Sequence, residues 1–272
     1  MTPDAWSTHA VALGPASVTK RFRGGDPGRS AREWRALGLL HRYAPGLAPE
    51  PLHADLGAAE PTVVMSRLAG RPLRGAPLDG GRIAALAAAV TALHHALPPD
   101  VLASVPPRPG RQGELAGLVR SWYGRIRPQA GEPVGAAMDA GLDWLSRCPP
   151  HTGDLHGVPG VFGPGDGNLA NYLWDGTRVQ VVDFEDSGRS DRAFELAEIT
   201  EHVAAWVEHP LDVPLFLGHF DLAPAESARL PGCRRLLALV WLFLLAFDAA
   251  GPRRNPPGTA DRQAARLLAL LG

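Results

Sequence analysis

Residues 164–197 read PGDGNLANYLWDGTRVQVVDFEDSGRSDRAFELA. Asp166 is followed five residues later by Asn171. An apolar run then leads to Asp183, and a tail of Gly188, Asp191, Glu195, Leu196 and Ala197 closes the stretch. Gly163, Pro164, Gly165 and Gly167 make a loop that can bend sharply, and Asn168 and Asn171 tolerate irregular backbone. Tyr172–Trp174 reads as a short strand, Asp175-Gly176 as a two-residue turn and residues 178–184 as a return strand. That hairpin would bring Asp183 back beside Asp166 and Asn171. A carboxylate between Val182 and Phe184 is costly unless it is paired or bound to a metal. One carboxylate facing a hydroxyl, with an amide and a second carboxylate holding Mg²⁺ on nucleotide phosphates, is the set that phosphoryl transfer requires.

The run resembles the catalytic core of the aminoglycoside phosphotransferase and choline kinase group, relatives of the protein kinases. That group carries His-Gly-Asp-x-x-x-x-Asn, then Ile-Asp-Trp/Phe-Glu, then Gly-x-x-Asp-x-x-x-Asp-Leu-Ala. The resemblance implies that Asp166 is the catalytic base and that Asn171 and Asp183 are the metal ligands. Pro164 stands where the group has His, and Glu195 stands where the tail has Asp. Because that His mainly braces the loop, its replacement bears on loop geometry more than on chemistry.

Lys20 is the only lysine; every other member of the Lys+Arg total of 27 is arginine. A position that keeps lysine against that bias needs a compact ammonium rather than a planar guanidinium. It lies in SVTKRF, which alternates as a strand with Val18, Lys20 and Phe22 on one face. Asp26 as N-cap and Pro27 at the first helical position predict a helix over about 27–43 that contains Glu33. A strand Lys paired with a helix Glu is the phosphate-gripping pair of kinases, so the resemblance extends to Lys20 and Glu33. Residues 61–73, PTVVMSRLAGRPL, read as an apolar strand entering a Gly/Pro linker and resemble the hinge of the family. The resemblance implies that Met65 backs an adenine pocket and that the Ser66 C=O and Leu68 N–H bond the adenine edge.

The fold expected is α+β and two-lobed, protein-kinase-like. A small reduced lobe, 1–68, has an antiparallel sheet and one helix; 69–73 is the hinge; 74–272 is a larger, mostly helical lobe with the catalytic loop and acceptor site. Ala/Leu periodicity predicts helices over 79–97, 112–127, 133–147, 191–209, 224–250 and 259–271. Pro/Gly clusters predict loops at 98–110, 149–165 and 251–258. His9 to Leu13 can supply a first strand and Gly14-Pro15 a turn, but no G-x-G-x-x-G precedes Lys20, so the phosphate-covering loop is reduced.

With 45% hydrophobic and 20% charged residues the chain is a globular protein, and a net charge of −1 gives no drive toward nucleic acid or anionic membrane. The first ten residues lack the basic start and apolar core of a signal peptide. The apolar run of about 15 residues at 236–250 falls short of the roughly 20 that span a bilayer. Two cysteines suit a reducing cytoplasm. Cys148, His151, Asp154 and His156 lack a second ligand pair, and Pro149-Pro150 stiffen the run, so no transition-metal site is expected. His94-His95 would cap a helix C-terminus or pack.

The expected chemistry is ATP-dependent phosphorylation of a small-molecule hydroxyl, with Mg²⁺ as cofactor, by a monomer or dimer. For the acceptor, Glu185, Asp186, Glu198, Glu201 and Trp206 are the candidates. The carboxylates could form a negative cleft for a cationic antibiotic such as an aminoglycoside; they could equally be a solvated acidic face with Asp191 as a cap. Trp206 could stack on a sugar or cation, or simply pack. Choline, a sugar, a hydroxy amino acid or a macrolide are the other acceptors considered. A catalytically silent kinase-like binding module is the reading from a different class.

Overall fold

The computed structural model describes residues 9–24, 28–149, 158–248 and 255–272. The predicted helix start at Asp26-Pro27 and the residues His151, Asp154 and His156 lie outside them. Cys148 is exposed.

Strands β1 (Ala10–Leu13) and β2 (Ser17–Arg21) are antiparallel and joined by a tight turn in which the Gly14 N–H donates to the Ser17 C=O at 2.8 Å. With β3 (Pro51–Asp55) and β4 (Thr62–Ser66) they form one antiparallel sheet in the order β1-β2-β4-β3. Lys20 and Phe22 are both buried, as the alternation of SVTKRF requires. Helix α1 (Gly28–Tyr43) packs on β3 and β4 and buries Ala36, Leu37, Leu40 and the carboxylate of Glu33.

The stretch read as a linker is tied down. Arg71–Pro72 (β5) pairs antiparallel with Tyr172–Trp174. Leu73 N–H then donates to the Tyr172 C=O at 2.9 Å, and Arg74 N–H to the Leu169 C=O at 3.1 Å. A second strand pair lies where a loop was expected: β6 (Gly160–Gly163) runs antiparallel to Gly188–Asp191.

The predicted hairpin forms from β7 (Tyr172–Trp174) and β8 (Val179–Val181), with two corrections. Its connection has four residues, because Trp174 and Val179 are the last pair. Asp175 organises it by accepting the N–H groups of Thr177 (2.8 Å) and Arg178 (2.9 Å), bonds that hold its carboxyl down at about 2. The return strand also stops at Val181, short of Asp183. The strand after it, β9 (Gly188–Asp191), is the partner of β6.

The other helices are α2 (Gly80–His94), α3 (Pro99–Ser104), α4 (Gln112–Ile126), α5 (Glu132–Arg147), α6 (Arg192–Glu201), α7 (Val213–Leu217), α8 (Pro224–Asp248) and α9 (Thr259–Leu271). α3 occupies part of a predicted loop. α6 is shorter than the 191–209 expected: it ends at Glu201, and a single 3₁₀ turn, Val203–Ala205, follows. At the end of α2 the two histidines divide the roles. His95 bonds the Thr91 C=O at 2.9 Å, while His94 is buried and its imidazole pushed down to about 3 by that burial.

One apolar core runs from Phe22, Leu40 and Val63 through Leu86 to Phe162, Tyr172 and Phe184, and so binds the sheet to the β7–β8 hairpin. A second core, around Met138, Leu239, Phe243 and Leu267, joins α4, α5, α8 and α9. By length and composition α8 could cross a membrane, yet it lies packed against α4, α5, α6 and α9.

Candidate active site

The loop that carries Asp166 leaves β6 at Gly163 and enters β7 at Tyr172. It runs so close to its neighbours that two positions accept no side chain. Gly165 has φ +82°, and a Cβ there would lie 2.1 Å from the Asp186 C=O oxygen; at Gly167 it would lie 2.1 Å from the Glu198 C=O oxygen. Gly167→Ala should therefore cost about 1–3 kcal/mol or more, because the obstruction is backbone and cannot rotate away. Urea unfolding of that variant checks it, and a loss below about 0.5 kcal/mol would mean that the loop can shift freely.

Asp166 follows Gly165 and is held at both oxygens. Its Oδ1 accepts the Asn168 N–H at 2.9 Å and its Oδ2 the Asn171 side-chain amide at 2.9 Å. His202 Nε2 lies 3.5 Å from Oδ1. The His202 Nδ1 accepts the Ala204 N–H at 3.0 Å, so the proton of this neutral imidazole sits on Nε2, facing Asp166. Partial withdrawal from water, together with the nearby Asp183 charge, pushes the Asp166 carboxyl up to about 6. Asn168 caps the 3₁₀ turn Leu169–Asn171 by accepting the Ala170 N–H, which fixes the spacing from Asp166 to Asn171.

Asp183 has φ +69°, the one left-handed residue other than glycine among those described. Such a conformation is uncommon outside glycine, though Asp tolerates it better than most. It is over-determined by its neighbours: Val182 N–H donates to the Asn171 C=O, and Phe184 N–H to Glu33 Oε2, both at 2.9 Å. The turn delivers the Asp183 carboxylate to Lys20 Nζ at 2.5 Å.

Lys20 is the hub. Its ammonium also meets Glu33 Oε2 at 3.1 Å and Glu185 Oε2 at 2.7 Å. Glu33, Asp183 and Glu185 have ligand atoms within 4.8 Å of one another, close enough to share a cation, and the ammonium fills that role. The three carboxylates raise the Lys20 pKa against its burial, so the group stays charged. Complete burial pushes the Glu33 carboxyl up, and Lys20 opposes that shift.

Of the other residues singled out for a nucleotide, Met65 is buried in the core, Ser66 ends β4 and Leu68 is half-buried just beyond it. Ser66 is engaged by Glu50: its N–H donates to the Glu50 C=O, and its Oγ accepts the Glu50 N–H, both at 2.8 Å.

The acceptor candidates scatter. Glu185 joins the Lys20 cluster and meets His9 Nε2 at 2.9 Å and Arg29 at 3.2 Å. Asp186 lies 3.7 Å from Arg32 and 3.9 Å from Arg29. Glu198 is buried against Arg108 at 2.8 Å. Glu201 is buried between Arg234 (2.6 Å) and Arg266 (3.0 Å). The acidic helix is therefore not a solvated face, and Glu198 and Glu201 face arginines. Trp206 lies past the end of α6, packs on Val203, Val207 and Leu245, and carries the guanidinium groups of Arg262 and Arg266 on its ring. Asp191 is the α6 cap, as read from the sequence. Arg108 and His202 were not anticipated. Each reaches the Asp166 loop from a distant segment, and neither has a local signal in the sequence.

The phosphotransferase enzyme family matches residues 3–223, and the chain belongs to that family. It is a small-molecule kinase with the two-lobed protein-kinase-like fold. Among solved structures it is similar to a choline/ethanolamine kinase family protein from Mesorhizobium loti (20% identity, 97% of this chain and 85% of that one, TM-score 0.63). It is also similar to the choline kinase of Streptococcus pneumoniae (15% identity, 97% and 89%, TM-score 0.62). A spectinomycin phosphotransferase solved with ADP and spectinomycin is a third (11% identity, 97% and 92%, TM-score 0.61). No curated protein matches the chain.

Proposed function

We propose that the chain moves the γ-phosphoryl group of ATP to a hydroxyl of a small molecule. Residues 1–68 act as the nucleotide lobe, 69–73 as the hinge and 74–272 as the lobe that holds the catalytic loop and the acceptor. The observation that carries this is the convergence of Lys20, Glu33 and Asp183 beside the Asp166–Asn171 pair, from four separate segments.

Asp166 orients the acceptor hydroxyl and takes its proton as the oxygen–phosphorus bond forms; the bond from the γ-phosphorus to ADP breaks in line. A carboxyl near 6 is ionised at neutral pH and still basic enough for that task. Lys20, steadied by Glu33, grips phosphate oxygens, and Met65, Ser66 and Leu68 border the base. Asn171 and Asp183 would hold Mg²⁺. The fit is chemical: the Asn171 amide nitrogen donates to Asp166, which leaves its oxygen for a cation, and Asp183 adds a carboxylate, both hard donors. Mg²⁺ would supply neutralisation of phosphate charge.

The acceptor reading narrows. A cationic antibiotic such as an aminoglycoside would need free carboxylates, yet Glu198 and Glu201 are matched by arginines and Glu185 by Lys20 and His9. Asp186 is the more open of the set, so a singly charged or neutral acceptor (choline, a sugar, a hydroxy amino acid, a macrolide) fits as well. We read the protein as cytoplasmic, and as a monomer or dimer. The unpaired Cys148 and Cys233 support the compartment.

ADP release with Mg·ATP across aminoglycosides, macrolides, choline and sugars tests the activity. Acceptor-dependent release that disappears in Asp166→Asn is the expected result. The short β1–β2 turn and the engaged Lys20 favour one other reading, a silent binding module. Mg·ATP that raises the melting temperature of the wild type but not of Asp183→Ala speaks against the module; protection by no nucleotide speaks for it.

A further inference from the structure

The two departures from the family motif, Pro164 for His and Glu195 for Asp, meet at one place. β6 ends at Gly163, where a Cβ would lie 2.2 Å from the Glu195 carboxyl carbon, so the Glu195 carboxylate is packed under the start of the catalytic loop. Into that place comes Arg108, from the segment between α3 and α4. It is 4% exposed.

Its two terminal nitrogens serve three chain positions. One terminal nitrogen donates to Glu195 Oε1 at 2.8 Å; the other donates to Glu198 Oε1 and to the Gly165 C=O, each at 2.8 Å. Its Nε donates to the Pro109 C=O at 3.1 Å, and the group lies 4.9 Å from the Phe194 ring. The backbone under it is fixed as well. Arg108 N–H donates to the Arg189 C=O at 3.1 Å, and Arg189 N–H to the Pro106 C=O at 3.0 Å, which stitches the segment to β9.

The Gly165 carbonyl immediately precedes Asp166, and Gly165 is left-handed. A planar fork with fixed donor directions can hold a carbonyl and two carboxylates at once, which a lysine ammonium cannot do with the same geometry. We propose that Arg108 is the positioning residue of the catalytic loop, supplying through Gly165 the brace that the motif histidine would supply from position 164. Glu195 and Glu198 anchor the guanidinium from α6. This rests on the reading of Asp166 as the base.

The test uses nucleotide-free full-length protein and hydrogen exchange at the Asn168, Ala170 and Asn171 amides, which are bonded within the loop. Two variants are compared: Arg108→Lys, which keeps the charge, and Arg108→Met/Glu195→Gln/Glu198→Gln, which leaves no orphan charge. A purely structural arginine would change global unfolding and loop exchange together. Positioning predicts loop amides that exchange about tenfold faster or more, with the amides of Ala197 to Glu201 in α6 and the denaturation midpoint close to wild type in at least one variant. Adding Pro164→His to Arg108→Lys should return loop protection toward wild type. Loop exchange unchanged in both variants, or changed only in step with global unfolding, overturns the proposal. Because this readout needs no substrate, faster loop exchange in a protein whose ADP release ignores Asp166→Asn would sustain the brace and reject the catalytic reading instead.

Discussion

Asp166→Asn is expected to abolish acceptor-dependent ADP release and, at the same time, to make the protein more stable at pH 8. Loss of a positioned proton acceptor costs on the order of 10²–10⁴ in rate. The stability change follows from the raised carboxyl. The folded chain binds that proton more tightly than the unfolded chain does, with a pKa of about 6 against the usual 3.8. Its contribution is therefore fully present below about pH 4 and is lost as the pH rises through about 6; above that, folding must keep an ionised group beside Asp183. Asn removes the charge and keeps the shape, and in the metal-free protein a flip of the Asn171 amide preserves that hydrogen bond. The melting-temperature advantage of the variant should be clear at pH 8 and shrink or reverse by about pH 4–5. An advantage that does not depend on pH would show that the Asp166 charge is not its source. In the wild type the same group predicts activity that falls as the pH drops below about 6.

Lys20→Met should be the more damaging change to the fold. The ammonium and Glu33 have side chains only 7% and 1% exposed, and Glu185 only 12%. Removing the cation leaves Glu33 and Asp183 without their cationic partner and Glu185 with Arg29 and His9. Breaking a buried pair from one side costs about 3–5 kcal/mol. Lys20→Met/Glu33→Gln should recover part of that loss by deleting the buried charge left without its partner. Lys20→Arg should fold better than Lys20→Met and still not be protected by Mg·ATP, since no single nitrogen of a planar guanidinium can meet three converging oxygens at 2.5–3.1 Å as the ammonium does. Urea unfolding and nucleotide-dependent melting measure both effects. A loss below about 1 kcal/mol for Lys20→Met would mean that the cluster is solvated and contributes little.

The strand that carries Lys20 and the helices α2, α5 and α9 were legible from local signals, the alternation in SVTKRF and the Ala/Leu periodicity; the meetings of Lys20 with Glu33 and of Asp166 with Asn171 were expected from the family resemblance, since neither segment shows its partner. The errors have equally physical origins. The dipeptide Asp175-Gly176 suggested a two-residue turn, but the Asp175 side chain captures two amides and makes a four-residue one. Asp183 was read as a strand residue because Val181 and Val182 lead into it; the bonds on either side of it, from Val182 to Asn171 and from Phe184 to Glu33 151 positions earlier, are not visible in that run. The strands β6 and β9 are four residues each and glycine-containing, too short to show a period. The carboxylates of α6 were weighed as a solvated face or a cleft because Arg108, Arg234 and Arg266 are remote in sequence. Ionic pairing between distant segments leaves no pattern in either one.

A chain that spends all its other basic positions on arginine has, as a side effect, a single side-chain amine. Reagents that modify amines thus have one internal target in this molecule, and it lies at the junction of the lobes. While Glu33, Asp183 and Glu185 hold it, Lys20 is charged and 6% exposed, hence a poor nucleophile. Its acylation rate would then report how often the junction opens, which makes the protein addressable at one atom without any engineered handle.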